Sequence, residues 1–227
     1  MNPKQHPLVV YIRTELIKTG DSDKAAAMQA YMKTDQKFYG VQANPRRTIF
    51  RQAKKRYPIS TWSDYEQLIF ELWNGEYRED MYQALEIAET YKIFRVEKSW
   101  DLYENLIRTA TNWDTLDWIA AKLIGELVLE NRQFESVLKQ WIVDKNFWVR
   151  RAALLAHLKH KRRTNTKLLA YTIIKLAHEK EFFIRKAIGW VLRNYAYTDP
   201  LWVKRFVVRN RSTLSNLSIR EAMKNIP

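Results

Sequence analysis

The sequence has no cysteine. That excludes a disulfide scaffold, a thiolate metal site and a cysteine nucleophile, and it fits a reducing compartment. Glycine occurs five times and proline six times in 227 residues, too few for a chain rich in loops or β-turns. No run reaches the roughly 18 apolar residues that a membrane-spanning helix needs. Met1 to Tyr11 carries Pro3 and Pro7 and has no long apolar core, so no signal peptide is expected. Negative charge is also scarce: 25 acidic residues stand against 39 lysines and arginines, a formal charge of +14. A balance this basic suits an anionic partner, nucleic acid first and an anionic membrane surface second. Plain solubility is the least specific explanation.

Other chemistries lack their signatures. His6, His157, His160 and His178 show no ligand spacing with a carboxylate, so no metal is expected and each reads as surface or helix packing. The five glycines form neither a phosphate loop nor a dinucleotide fingerprint. No lysine stands out as a Schiff-base nucleophile. What is abundant is aromatic surface: nine Trp and twelve Tyr, equally useful in cores and against bases.

Apolar residues recur at helical spacing nearly throughout. Leu8, Ile12 and Leu16 open the series. Asp21 or Ser22, Thr61, Ser99, Asn112, Asn146 and Asp199 stand where helices can be capped. Asn44-Pro45 reads as a cap followed by proline at the first helical position. About a dozen helices result, with no convincing strand alternation and no linker to divide residues 1–227 into two domains. A weak repeat links Phe147-Trp148-Val149-Arg150-Arg151-Ala152-Ala153 with Phe182-Phe183-Ile184-Arg185-Lys186-Ala187-Ile188. The spacing fits a two-helix unit, hence a solenoid or a compact bundle.

Near the middle stands Trp113-Asp114-Thr115-Leu116-Asp117. A helix starting after Asn112 sets Trp113 and Asp117 on one face, four residues apart. Trp190 and Arg193 are three apart and can also share a face.

Four segments together carry a resemblance: Tyr39-Gly40-Val41 with Arg46-Arg47; Glu71-Leu72-Trp73; Trp113 to Asp117; and Phe182 to Tyr195, above all Lys186-Ala187-Ile188-Gly189-Trp190-Val191-Leu192-Arg193. Over nearly its whole length the chain resembles the bacterial DNA alkylation repair proteins of HEAT-like repeats, the alkylpurine DNA glycosylases. The resemblance implies an all-α HEAT-like solenoid whose concave basic face holds double-stranded DNA. It implies a monofunctional enzyme, without metal or organic cofactor, that hydrolyses the N-glycosidic bond of positively charged purines such as N3-methyladenine and N7-methylguanine. A monomer in the bacterial cytoplasm, at the nucleoid while acting, is expected.

By the same resemblance the catalytic positions fall on Trp113, Asp117 and Trp190, with Arg151 and Arg193 as phosphate-side contacts. Arg150 departs from the neutral residue expected beside Arg151. Arg46, Arg47 and Lys186 are weaker phosphate candidates, together with Arg51, Lys159, Arg162, Arg163, Arg209 and Arg211. A non-catalytic DNA-structure-binding member and a basic helical scaffold for protein or RNA are the rival functions. The Trp113, Asp117 and Trp190 set favours the enzyme.

Overall fold

A computed structural model describes residues 5–226; Met1 to Lys4, including the sequence-noted Pro3, and Pro227 lie outside the described residues. Helices carry the structure and no strand occurs among the described residues, where only an isolated bridge joins Lys37 and Tyr77. No described helix is long and apolar enough to cross a membrane. The chain separates into two compact units, Met1–Arg95 and Val96–Pro227.

The first unit contains α1 (Pro7–Thr19), α2 (Ser22–Met32), α3 (Ala43–Arg56), α4 (Trp62–Trp73) and α5 (Arg78–Thr90). The expected caps form at two of its helices. Asp21 accepts from the Asp23 and Lys24 amides, and Thr61 Oγ1 accepts from the Asp64 amide at 3.1 Å. Each such cap contributes about 1 kcal/mol. α3 begins two residues earlier than Asn44-Pro45 suggested: Gln42 is its N-cap and makes no side-chain cap bond. Pro45 is tolerated at the third position because amides of the first turn have no intrahelical acceptor. The core is aliphatic, through Leu8, Ile12, Leu16, Ile49, Leu68 and Leu72. Glu79 is buried at the start of α5, where its carboxylate accepts from the amides of Tyr39, Gly40 and Val41 at 3.0, 2.9 and 2.9 Å. Gly40 has φ +83°, and a Cβ there would lie 2.0 Å from the Asp21 carbonyl oxygen. Only glycine fits that turn.

The second unit contains α6 (Ser99–Thr109), α7 (Trp113–Trp118), α8 (Gly125–Glu130), α9 (Glu135–Trp141), α10 (Phe147–Leu155), α11 (Thr166–Leu176), α12 (Phe182–Ala196), α13 (Pro200–Arg209) and α14 (Asn216–Met223). A wide π turn, Ile119–Ile124, joins α7 to α8, and the Gly125 amide donates back to Ala120 across it. α10 packs against α6, α7 and α12, and α12 packs against α13 and α14.

The repeat read from the sequence has local structural counterparts. Asn146 and Glu181 cap their helices onto the amides of Trp148 and Phe183. Arg150 and Arg185 each reach back six residues to a carbonyl, Asp144 at 2.7 Å and Glu179 at 2.9 Å. Matched side chains therefore find matched backbone acceptors before the respective helices. Trp73 and Trp141 are buried, while Trp202 is half-buried and stacks on Phe206.

Candidate nucleic-acid interface

The Trp113–Asp117 segment forms the helix that its spacing predicts. Asn112 is extended, and its Oδ1 accepts from the Trp113 amide at 2.8 Å. α7 starts there, with Trp113 half-buried in its first position. Thr115 and Leu116 turn into the core, so Trp113 and Asp117 share the remaining side. The π turn begins two residues after Asp117. Such a turn inserts one extra residue and offsets the faces before and after it by about 100°.

α10 brings Arg151 to this carboxylate. Arg151 Nε donates to Asp117 Oδ1 at 2.8 Å and Nη2 donates to Oδ2 at 2.8 Å. The third guanidinium nitrogen, Nη1, donates to the Phe183 carbonyl oxygen at the start of α12. The arginine side chain is 4% exposed and that of Asp117 12%. Burial pushes the Asp117 carboxyl above its ordinary range, and the Arg151 fork acts in the opposite direction. Two N–H groups aligned on two oxygens match the ionised carboxylate, which accepts at both and keeps a further lone pair on each. The pair is thus a fixed, partly dry dipole whose negative end has capacity for one more donor, such as a water.

The second candidate face lies on α12, where Lys186, Trp190 and Arg193 follow at positions i, i+4 and i+7. Both cations close on Glu221 of α14: Lys186 Nζ to Oε1 at 2.7 Å and Arg193 Nη1 to Oε2 at 2.8 Å. The Lys186 hydrogen bond draws the Glu221 carboxyl below its ordinary range, with both cations helping. Gly189 allows this approach. A Cβ there would lie 2.4 Å from Glu221 Cβ and 2.9 Å from the Ser218 carbonyl oxygen. Trp190 itself is half-buried between the two cations in sequence.

Residues 12–226 match the family described as DNA alkylation repair enzyme. The chain belongs to that family. Among solved structures it is similar to one described as a predicted DNA alkylation repair enzyme from Enterococcus faecalis, with 30% identity, a TM-score of 0.84, and coverage of 92% of this chain and 97% of that one. No curated protein matches it. Family membership gives the chain a role in DNA repair, with DNA as its substrate.

Within this chain the expected site residues are placed differently from one another. Asp117 and Arg151 meet directly, and Arg193 and Lys186 meet through Glu221. Arg150 is bidentate on Glu179, at 2.6 and 2.8 Å, and also donates to the Asp144 and Lys145 carbonyls. Arg46 and Arg47 belong to the first unit; Arg46 is buried, whereas Arg47 is exposed with Glu86 at 3.5 Å. Trp148 packs 4.4 Å from Phe147 and 5.0 Å from Phe183, which makes it part of an aromatic cluster at the starts of α10 and α12.

Sequence reasoning passed over Glu221, Glu179 and the Phe183 carbonyl. Glu221 lies 35 residues beyond Lys186, and nothing local pairs it with α12. Phe183 was visible only as an aromatic in the repeat. His157 and His160 are buried, packed ring to ring at 5.4 Å, with His160 Nε2 on the Gly125 carbonyl at 2.8 Å. No group of His, Asp and Glu suited to a metal occurs among the described residues.

Proposed function

We propose that this protein is a monofunctional DNA glycosylase that hydrolyses the N-glycosidic bond of cationic alkylated purines, N3-methyladenine and N7-methylguanine, in duplex DNA. The observation that carries the reading is the Asp117–Arg151 fork: a carboxylate held at both oxygens, half a helical turn from core residues and on the same side of α7 as Trp113. The helices of the protein then form a HEAT-like solenoid whose concave basic face takes the duplex. The matched caps and matched arginine bonds of the 147 and 182 segments support a repeating architecture. The protein works as a monomer and without metal or organic cofactor.

A purine alkylated at N3 or N7 already carries the positive charge that makes it a leaving group, so no acid is required to protonate it. The glycosidic bond breaks with its electron pair going to the base, which departs neutral. Positive charge develops on the sugar. Asp117 opposes that charge, and because Arg151 fixes it beforehand no reorganisation is needed as the charge appears. A water donating to a free Asp117 lone pair attacks the anomeric carbon and loses its proton to the carboxylate or to solvent. The products are the free base and an abasic deoxyribose. Trp113 and Trp190 offer π faces to the cation, worth roughly 0.5–2 kcal/mol each and more when dry. They favour the charged lesion over an ordinary purine.

In this reading Arg151 acts by holding Asp117. Arg193 and Lys186 meet phosphates only in exchange for Glu221. Strand cleavage through an imine is not expected, because no lysine stands out as a Schiff-base nucleophile. The test is release of methylated bases from alkylated duplex DNA by the wild type, Asp117→Asn and Trp190→Ala. Both variants should lose most of the release while still binding undamaged duplex. Release unchanged from the wild type in both variants would overturn the site, and no release by the wild type at low salt would favour a DNA-structure-binding protein.

A further inference from the structure

The first unit contains a second place built for an anion. α3 begins at Ala43 after Gln42, whose side chain makes no capping bond. The Ala43 and Asn44 amides have no acceptor among the described residues, Pro45 has no N–H, and the first bond back is Arg46 N–H to the Gln42 carbonyl at 3.1 Å. No acidic residue occupies the first turn. Arg46 and Arg47 stand there instead, at the end where the helix dipole is already positive.

Arg46 is the more telling of the two. It is 6% exposed. Its guanidinium stacks over the Tyr82 ring at 4.3 Å, and its Nε is buried without a hydrogen-bond partner among the described residues. Neither neighbouring carboxylate meets this Nε: Glu79 accepts three amides, and Glu86, whose Oε1 has no hydrogen-bond partner among the described residues, stands 3.5 Å from Arg47 Nε, so both act on Arg46 through charge alone. The Gln83 side chain, by donating to the Arg46 carbonyl at 3.0 Å, ties this turn of α3 to α5. A buried guanidinium donor left unmet costs free energy, and burial already draws the Arg46 pKa down. The same residue lines an open hollow of about 540 Å³ together with Gln42, Ala43, Asn44, Met28 and Tyr82. Free amides, the positive end of a helix and an arginine with one unmet donor border one space.

We propose that the N-terminus of α3 and the Arg46 guanidinium form a phosphate-binding site. The two amides bind phosphate oxygens along the helix axis, and the guanidinium donates from the side. Tyr82 holds the guanidinium plane in place and so lowers the ordering cost of binding. In a DNA repair protein of charge +14 the phosphate source with most to offer is the backbone of the duplex. The site shares no residue with the Asp117 fork and does not rest on the glycosidic reaction.

The full-length protein, labelled with ¹⁵N, is titrated with inorganic phosphate and, separately, with an undamaged duplex. In both arms the Ala43 and Asn44 amides and Arg46 Nε should shift together. Shifts with inorganic phosphate alone assign the site to a small phosphate ligand, and shifts with the duplex assign it to the DNA backbone. In parallel, duplex affinity is measured over a range of salt for the wild type, Arg46→Gln and Ala43→Pro. The proline removes one amide at a position where helices accept proline, so that variant keeps the fold even if the arginine variant does not. In Arg46→Gln, loss of the cation from one phosphate contact should reduce the slope of log K against log salt by about 0.9, while Ala43→Pro, which removes a neutral amide, should weaken duplex binding several-fold. Base release by the wild type is scored independently, so the glycosylase reading can fail while this one stands. Absence of shifts in both titrations overturns the proposal. Unchanged duplex affinity in a folded Ala43→Pro protein overturns the backbone assignment.

Discussion

Replacing Arg151 by Met leaves the Asp117 carboxylate in place with both of its forked donors gone. The two side chains are 4% and 12% exposed, so solvent cannot substitute fully. Breaking a buried pair from one side costs about 3–5 kcal/mol. For a chain of this size that corresponds to a fall in Tm of about 6–20 °C. The sign of the pH dependence follows from Asp117. Burial already raises its pKa, and Arg151 opposes the rise; without Arg151 the rise must grow. A carboxyl raised in the folded state favours folding while protonated and loses that contribution as pH climbs through the folded value. The deficit of Arg151→Met should therefore be largest at pH 8 and shrink toward pH 5. Urea unfolding followed by tryptophan fluorescence at the two pH values measures it. Adding Asp117→Asn to Arg151→Met should recover about 1–3 kcal/mol, because no uncompensated charge is then buried. A deficit below about 1 kcal/mol at pH 8, or one equal at both pH values, would show that the fork is not a desolvated ion pair and would remove the basis for preorganisation.

Glu221→Gln frees Lys186 and Arg193 from a carboxylate, so undamaged duplex should bind several-fold more tightly at low salt, with the gain fading as salt rises; weaker binding in an anisotropy titration would mean that Glu221 orients the two cations rather than competing for them. His157 and His160 are pushed down by burial to about 3 and about 4. Groups depressed in the folded state take up protons on unfolding below their ordinary range, so stability should fall between about pH 6.5 and 4, each histidine costing on the order of 2 kcal/mol by pH 4.5. His157→Phe should move the acid-unfolding midpoint downward, and an unmoved midpoint would show that this histidine is not buried in neutral form.

Much of the local structure was legible. The Trp113–Asp117 helix was visible because a capping Asn112 and a four-residue spacing are short-range properties. The same holds for Asp199-Pro200, which starts α13 with Asp199 Oδ1 accepting from the Trp202 amide at 2.8 Å. The start of α3 was misread by two residues, since Pro45 can occupy any place in the first turn where no amide partner is lost. The 35-residue repeat was faintly visible, and its arginine-to-carbonyl bonds explain why the Arg150 and Arg185 positions are alike.

The charged side chains were legible only as a set. With 39 cations and 25 anions in the chain, composition permits a very large number of pairings and prefers none of them. Arg150 and Arg151 are adjacent in sequence, yet one closes on Glu179 and the other on Asp117, because neighbouring positions on a helix point about 100° apart. Arg46, in the sequence one phosphate candidate among many, is buried over Tyr82.

By itself the sequence determined that the chain is helical, that its charge suits an anionic partner, and that a tryptophan and a carboxylate share one helical face. Those are consequences of composition and of contacts within a few residues. Only the tertiary structure decided that Asp117 is gripped by Arg151, 34 residues away, and that Glu221 stands between two candidate phosphate contacts. Such choices depend on which helices pack together and how deeply, and burial is what turns an ordinary ion pair into a directed one.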